Sequence, residues 1–285
     1  MQKRLLILAG GMSSRMKKQL TDDSTLSQET LAQANALPKG MIRLGKQQRP
    51  FLDYLLYNAA KAGVEEVLLL LNPNDESTQV YFENQQSLGK TWGMNIIFAR
   101  QVIPEGRIKP LGTADAVEQA LAQQTHWQNG LFIVCNSDNI YPVAVIKMLL
   151  DTEGNAMIDF DSAGISEAQV RNCAIIKKNE TDFLTDLLEK PNDEEWTIIK
   201  NTMPRIGISW NIFQLVAEQA LPFLQKTPLH PTRLEKELPN AVRLMIKEIP
   251  NVMLAIPVSE TIPDLTSKAD ILEVQHFLDQ NFGEL

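Results

Sequence analysis

Leu5-Leu6-Ile7-Leu8-Ala9-Gly10-Gly11-Met12-Ser13-Ser14-Arg15-Met16 is the stretch from which the rest of the chain is read. Leu5 to Ala9 is an unbroken apolar run, the pattern of a parallel strand covered on both faces. It empties into two glycines, two serines and an arginine. Gly10 and Gly11 have no Cβ to keep an oxyanion away from their backbone N–H groups. Arg15 reaches the same oxygens as a forked cation. The spacing is neither the Gly-x4-Gly-Lys-Ser/Thr loop of ATPases nor Gly-x-Gly-x-x-Gly. Taken alone, the stretch is equally a tight turn; its surroundings decide between the two.

Those surroundings are cationic. Residues 1–50 carry nine basic side chains, including Lys17, Lys18, Lys39, Arg43 and Arg49, against three acids, a local balance of +6. The whole chain of 285 residues has a net charge of −8, so the remainder sums to −14. An acidic protein does not bind nucleic acid generally, but a basic segment beside a glycine loop suits a small polyanion. A solvated basic face gives the same count. The composition, 44% hydrophobic and 22% charged, is that of an ordinary globular protein. No apolar run reaches membrane-spanning length. The opening Met-Gln-Lys-Arg and its short apolar run fall short of a signal peptide. Cys135 and Cys173 sit in apolar, strand-like segments and read as buried free thiols, which with the rest points to the cytoplasm.

Further along, strands and helices alternate. Phe51 to Ala62 has helical periodicity and ends at Gly63 as a C-cap. Val67–Leu71 and Asn95–Ala99 are buried strands, Thr113–Gln124 is a helix with Thr113 as N-cap, and Leu131–Cys135 is another buried strand. This alternation predicts a doubly wound, mostly parallel sheet whose ligand lies beyond the strands' carboxyl ends. After residue 155 the pattern loosens into short strands at Cys173–Ile176 and Ile206–Ser209, a final strand at Val252–Val258, and a helix over Lys268–Asn281. Residues 18–37 interrupt the basic segment: a polar stretch, Gln19 to Asp23, precedes a helix for which Thr25 and Gln28 have capping-box spacing. The insertion reads either as a mobile cover or as a passive excursion.

Five segments in order resemble the sugar-1-phosphate nucleotidyltransferases, the nucleoside-diphosphate-sugar pyrophosphorylase family. They are Leu8-Ala9-Gly10-Gly11-Met12-Ser13-Ser14-Arg15; Pro38-Lys39 with Arg49-Pro50-Phe51-Leu52-Asp53-Tyr54; Leu111-Gly112-Thr113-Ala114; the strand end Cys135-Asn136-Ser137-Asp138; and Glu189-Lys190-Pro191. Each alone is weak, and the order makes them specific. The chain departs from the family at Ser13 and Gly40, where Gly and Pro are usual. Asp264-Leu265-Thr266-Ser267 stands where the family has Asp-Val-Gly-Thr, and Arg205-Ile206-Gly207-Ile208-Ser209 where it has Asn-x-Gly-Ile-Tyr.

The resemblance implies an α/β, Rossmann-like fold in one domain. Residues 1–150 would form the nucleotide-binding half, and 151–285 a mixed sugar-phosphate-binding half with the C-terminal helix. It implies a Mg2+-dependent enzyme that joins a nucleoside triphosphate to a sugar 1-phosphate, with UTP or dTTP favoured because Gln101 precedes the Gly-Thr-Ala element. Leu8, Ala9, Gly10, Gly11 and Arg15 would hold the triphosphate, and Lys39 would bridge its phosphates, with Lys17 or Lys18 as the alternative cation. Asp138 and Asp264 would hold Mg2+. Gln101, Gly112 and Thr113 would meet the base, Glu189 the sugar hydroxyls, and Lys190 the sugar phosphate. The chemistry asks for such residues independently: bringing two phosphates together and expelling pyrophosphate needs positioning and charge neutralisation more than covalent help.

Blander readings stand beside these: Asp138 as a cap, and Glu189-Lys190-Pro191 as a surface turn. His126, His230 and His276 lack metal-ligand spacing, and the four tryptophans are dispersed. Two other functions share the resemblance. One is the molybdopterin-cofactor type, which has Ser-Ser-Arg-Met but lacks Leu-Gly-Thr-Ala and Glu-Lys-Pro; the other is a non-catalytic nucleotide-sugar sensor. The partners expected are small molecules, with no nucleic acid or membrane, and homo-oligomerisation left open.

Overall fold

A computed structural model describes residues 2–18, 26–260, 262–283 and 285. The strands of the first half are β1 (Arg4–Ala9), a short hairpin of β2 (Arg43–Leu44) and β3 (Arg49–Pro50), then β4 (Glu66–Leu71), β5 (Asn95–Arg100) and β6 (Leu131–Asn136). Those of the second are β7 (Asn155–Asp161), β8 (Ala174–Lys178), β9 (Leu184–Glu189), β10 (Gly207–Ser209), β11 (Phe213–Val216) and β12 (Met253–Val258). All but the β2–β3 hairpin join one ten-stranded sheet in the order β5-β4-β1-β6-β11-β7-β10-β8-β9, with β12 alongside β7.

The quartet β5-β4-β1-β6 is parallel throughout, with Leu5 opposite Val67 and Ile133. Successive side chains point to opposite faces. Leu5, Ile7 and Leu69 therefore enter one buried core, while Leu6, Leu68 and Val134 enter the other. Covering both faces is what makes these strands read as continuous apolar runs. Beyond β6 the sheet becomes mixed. β11 is antiparallel to β6 and β7, β10 to β7 and β8, and β8 to β9, while β12 runs parallel to β7. The α/β architecture expected from the sequence is present, and one sheet runs through both halves.

A third core fixes the edge where the glycine loop and the Asp264 segment meet. Met16, Phe51, Tyr54, Leu265, Ile271 and Leu278 pack together. They join the end of the glycine loop, helix Phe51–Ala62 and the C-terminal helix Ile271–Asn281. Met16 and Leu265 are fully buried, each contributing about 1.5–3 kcal/mol by the usual transfer scale. Burial of Leu265 carries its neighbour Asp264 to this edge.

Several local expectations shift. Helix Phe51–Ala62 does end on Gly63, at φ 95°. Helix Thr113–Gln123 is capped by Gly112 rather than Thr113: Gly112 turns into the helix at φ 115°, a backbone that only glycine adopts without strain, and the Thr113 hydroxyl accepts from Leu238 N at 2.8 Å. Gln19 to Asp23 and Thr25 lie outside the described residues. The helix after them, Gln28–Ala36, starts on Ser27, whose side chain accepts from Thr30 N. Cys135 is buried in β6 as expected, whereas Cys173 is half-buried in the turn before β8, and both are free thiols. Among the described residues no helix is long and apolar enough to cross a membrane.

Candidate active site

A cleft of about 330 Å³ opens beyond the carboxyl ends of β1, β5 and β6. The glycine loop forms one wall, from Leu8 and Ala9 through Gly10 and Gly11 to Arg15. Gly10 is held tightly: a Cβ there would lie 2.5 Å from Gln101 Oε1. Gly11 has open space around its Cα, so its backbone is free to meet a ligand. Ser13, where the resembled family usually has glycine, adopts φ 52°, the left-handed conformation that glycine takes more cheaply. Lys17 N closes the turn onto Ser13 O at 3.1 Å. Arg15 is exposed at the rim. Lys39 also lines the cleft; Lys17 and Lys18 do not.

The two carboxylates expected to hold a metal are 126 positions apart in the chain and adjacent in space. An isolated β-bridge pairs Asn139 with Asp264, and Leu265 N donates to Asp138 O at 2.8 Å. Asp138 lines the cleft at the end of β6 and accepts from Lys39 Nζ at 3.0 Å. Asp264 accepts from the Thr266 hydroxyl at 2.9 Å on each carboxylate oxygen. Burial, and next the charge of Asp138, push the Asp264 carboxyl up to about 7, against the pull of Thr266 and Lys39. Asp264 does not itself line the cleft, but its backbone lies beside Asp138, and Lys39 is the cation paired with Asp138. That donor set fits Mg2+, which takes one or two carboxylates and completes its shell with water and phosphate. Among the described residues no group of three or more His, Cys, Asp and Glu forms a metal cluster.

Gln101, Gly112 and Thr113 also line the cleft. Gln101 is buried, and its amide nitrogen donates to Gly112 O at 3.4 Å. The absent Cβ of Gly112 serves a packing need that sequence reasoning did not see. A methyl there would lie 2.3 Å from Lys236 O, on a segment more than a hundred residues away.

Glu189 ends β9, Lys190 follows it, and neither lines this cleft. Glu189 pairs with Ala174 across the β8–β9 ladder, one residue past Cys173. Its Oε2 accepts from Arg233 Nη2 at 2.8 Å, and the same nitrogen donates to Glu237 Oε2 at 2.6 Å. Burial and the Glu189 charge push the Glu237 carboxyl up to about 7. Lys190 is exposed at φ 47°, a strained backbone for a lysine and of the kind that gathers at functional sites. Arg205, standing where the resembled family has a sugar-contacting Asn, turns elsewhere. It donates to Asp159 at 2.7 Å and lines a separate cavity under helix Asp193–Thr202. Lys109 and Glu235 line the main cleft but were not singled out from sequence. The one signal for Lys109 is the charged loop in the long gap between Gln101 and Gly112.

Comparison with known proteins fits this arrangement. A family model described as nucleotidyl transferase matches residues 5–243. The chain belongs to the nucleotidyl transferase family. Among the curated relatives, the D-glycero-alpha-D-manno-heptose 1-phosphate guanylyltransferase of Aneurinibacillus thermoaerophilus is 25% identical over 143 residues, covering 50% of this chain and 49% of the relative. The glucose-1-phosphate adenylyltransferase of Clostridium novyi (strain NT) is 25% identical over 217 residues, covering 73% of this chain and 51% of the relative. The chain thus spans about half the length of these curated relatives. Its fold is shared with a UDP-glucose pyrophosphorylase solved in complex with UDP-glucose, at TM-score 0.70 and 18% identity, over 98% of this chain and 99% of the other. The UDP-glucose pyrophosphorylase from Acinetobacter baumanii superposes at TM-score 0.71 and 17% identity, over 100% of this chain and 96% of the other.

Proposed function

We propose that the protein transfers a nucleotidyl group from a nucleoside triphosphate, UTP or dTTP, to a sugar 1-phosphate, giving a nucleoside-diphosphate sugar and pyrophosphate. The observation that carries the reading is the convergence on one cleft of the Gly10-Gly11 loop, Arg15, Lys39, Asp138 and the Gln101–Gly112 pair. A phosphate oxygen of the sugar 1-phosphate attacks the α-phosphorus. A bond forms there, the bond from that phosphorus to the pyrophosphate oxygen breaks, and pyrophosphate leaves with the electron pair. Glycine-loop amides and Arg15 would hold the leaving phosphates, in the place where the negative charge grows. Lys39, paired with Asp138 at 3.0 Å, would turn its ammonium to the phosphates.

Asp138 and Asp264 would hold Mg2+, which supplies Lewis-acid neutralisation of phosphate charge when bound. The buried Gln101 amide favours a pyrimidine edge, to which it can donate and from which it can accept. One solved structure of the same fold, in complex with UDP-glucose, supports this reading of the base. Glu189 and Lys190 would serve the sugar 1-phosphate, so residues 1–150 and 151–285 act as two halves of one domain. The function is tested by exchange of labelled pyrophosphate into UTP or dTTP with the matching nucleoside-diphosphate hexose present. Label should enter the triphosphate; a protein that binds the nucleotide sugar but exchanges no label is a sensor.

A further inference from the structure

Between helix Ala217–Lys226 and helix Leu238–Glu248, the segment His230–Glu237 touches both halves of the site. Toward the nucleotide side, Lys236 O accepts from Ala114 N at 3.0 Å, and Lys236 N donates to Leu111 O. Gly112 fits against the same carbonyl only because it has no Cβ. Arg107 Nη2 adds a bond to Leu234 O at 2.9 Å. Three residues before Lys236, Arg233 meets Glu189 at 2.8 Å and Glu237 at 2.6 Å through one guanidinium nitrogen.

The turn that presents Arg233 is fixed locally. His230 N donates to Glu235 O at 2.9 Å, and Leu234 N to His230 O at 2.8 Å. His230 Nδ1 accepts from Arg233 N at 3.2 Å. Leu234 is held at φ 54°, a conformation that a branched L-residue keeps only when its surroundings impose it. A guanidinium shared by two carboxylates, one of them at the end of the sugar-side strand, is more than a surface ion pair requires. The two N–H bonds of that one planar nitrogen point in fixed directions, so they fix where each carboxylate oxygen sits as well as its charge.

We propose that Arg233 is a positioning residue of the sugar subsite. Its guanidinium fixes the Glu189 carboxylate for the sugar hydroxyls, while the same segment seats the Leu111–Ala114 turn of the nucleotide subsite through Lys236. The proposal rests on the nucleotidyl-transfer reading and adds to it a physical link between the two subsites, carried by a segment that neither the glycine loop nor the Glu-Lys-Pro element announces.

The test compares wild type with Arg233→Ala, Arg233→Lys, Glu189→Ala and the Glu189→Ala/Arg233→Ala double variant, each checked for fold by circular dichroism. Arg233→Ala should raise KM for the sugar 1-phosphate roughly tenfold, the lower end for loss of an orienting partner, and leave KM for the triphosphate within about twofold. Arg233→Lys keeps charge and loses the fixed planar geometry, so it should fall between; it also serves if the alanine variant does not fold. In the double variant the Arg233 change should add nothing to Glu189→Ala, because both act through one carboxylate. Equal rises in both KM values, or full additivity, overturn the proposal. Calorimetric binding of the nucleoside-diphosphate sugar to the same variants separates the two ideas. If wild type releases no pyrophosphate yet Arg233→Ala still weakens binding non-additively with Glu189→Ala, the enzyme reading fails alone.

Discussion

Lys39→Ala removes the one ammonium that the structure places 3.0 Å from Asp138, and its consequences differ between the resting and the working protein. Two unit charges at that separation attract by about 5 kcal/mol at an effective dielectric of 20. The Lys39 and Asp138 side chains are 12% and 21% exposed, so water recovers much of this, and a net stability loss of about 1–3 kcal/mol is expected. Melting should drop by a few degrees. Turnover should suffer more, by about 10²–10³-fold, the scale for losing one donor aimed at transition-state charge. Mg2+ affinity of the nucleotide-free protein should move the other way, since Asp138 no longer has an internal cation competing for its oxygen. Pyrophosphate release measures the first effect, thermal unfolding the second, and calorimetric titration of Mg2+ the third. Turnover within about threefold of wild type, where one catalytic donor is worth far more, would refute the reasoning; a dead Lys17→Ala or Lys18→Ala beside it would transfer the role.

Asp138→Asn and Asp264→Asn should each abolish Mg2+-dependent turnover while leaving the circular dichroism spectrum unchanged, and unchanged activity in either removes that residue from the site. Glu189→Ala should raise KM for the sugar 1-phosphate more than for the triphosphate, because it is assigned hydroxyls rather than phosphates; the opposite split places it elsewhere. Asp264 has its carboxyl raised to about 7 in the folded chain, so the fold favours its protonated form. That contribution is present at low pH and is lost as pH rises through about 7. The metal-free protein should therefore lose thermal stability between about pH 4, the ordinary value for this carboxyl, and about pH 7, with little further change above it, and Asp264→Asn should flatten the loss. Gly10→Ala should push the Gln101 amide aside, since the added Cβ lies 2.5 Å from its oxygen. Because that oxygen ends a side chain, the cost should appear in triphosphate KM rather than in melting temperature.

What was legible from sequence follows a physical division. β1, β4 and β6 were plain because burial on both faces leaves no polar alternation to confuse the pattern. Helix Glu76–Ser87 was not singled out, since only Thr78 and Phe82 are buried and so narrow a contact leaves little apolar stripe. Helix Ala217–Lys226 hides a proline, Pro222, in its interior. The start of helix Thr113–Gln123 was misplaced by one residue because threonine is a good cap, whereas Gly112 is required by its φ and by Lys236.

The site divides in the same way. The glycine loop, Lys39 and Asp138 lie in local motifs and meet in the cleft. Asp264 is legible only through Asp264-Leu265-Thr266-Ser267, and the buried Leu265 brings it to Asp138; Arg233, which reaches Glu189 from a polar turn, leaves no local trace. Arg205 shows the converse hazard, a motif position occupied by a residue that the fold turns toward Asp159.

The central claim is nucleotidyl transfer, and pyrophosphate release tests it most directly. The protein is mixed with Mg2+, each of the common nucleoside triphosphates and a panel of hexose 1-phosphates. The account predicts pyrophosphate in step with nucleoside-diphosphate sugar for a UTP or dTTP pair, and none when Mg2+ is chelated. Tight binding of a nucleotide sugar with no pyrophosphate from any pair would contradict it.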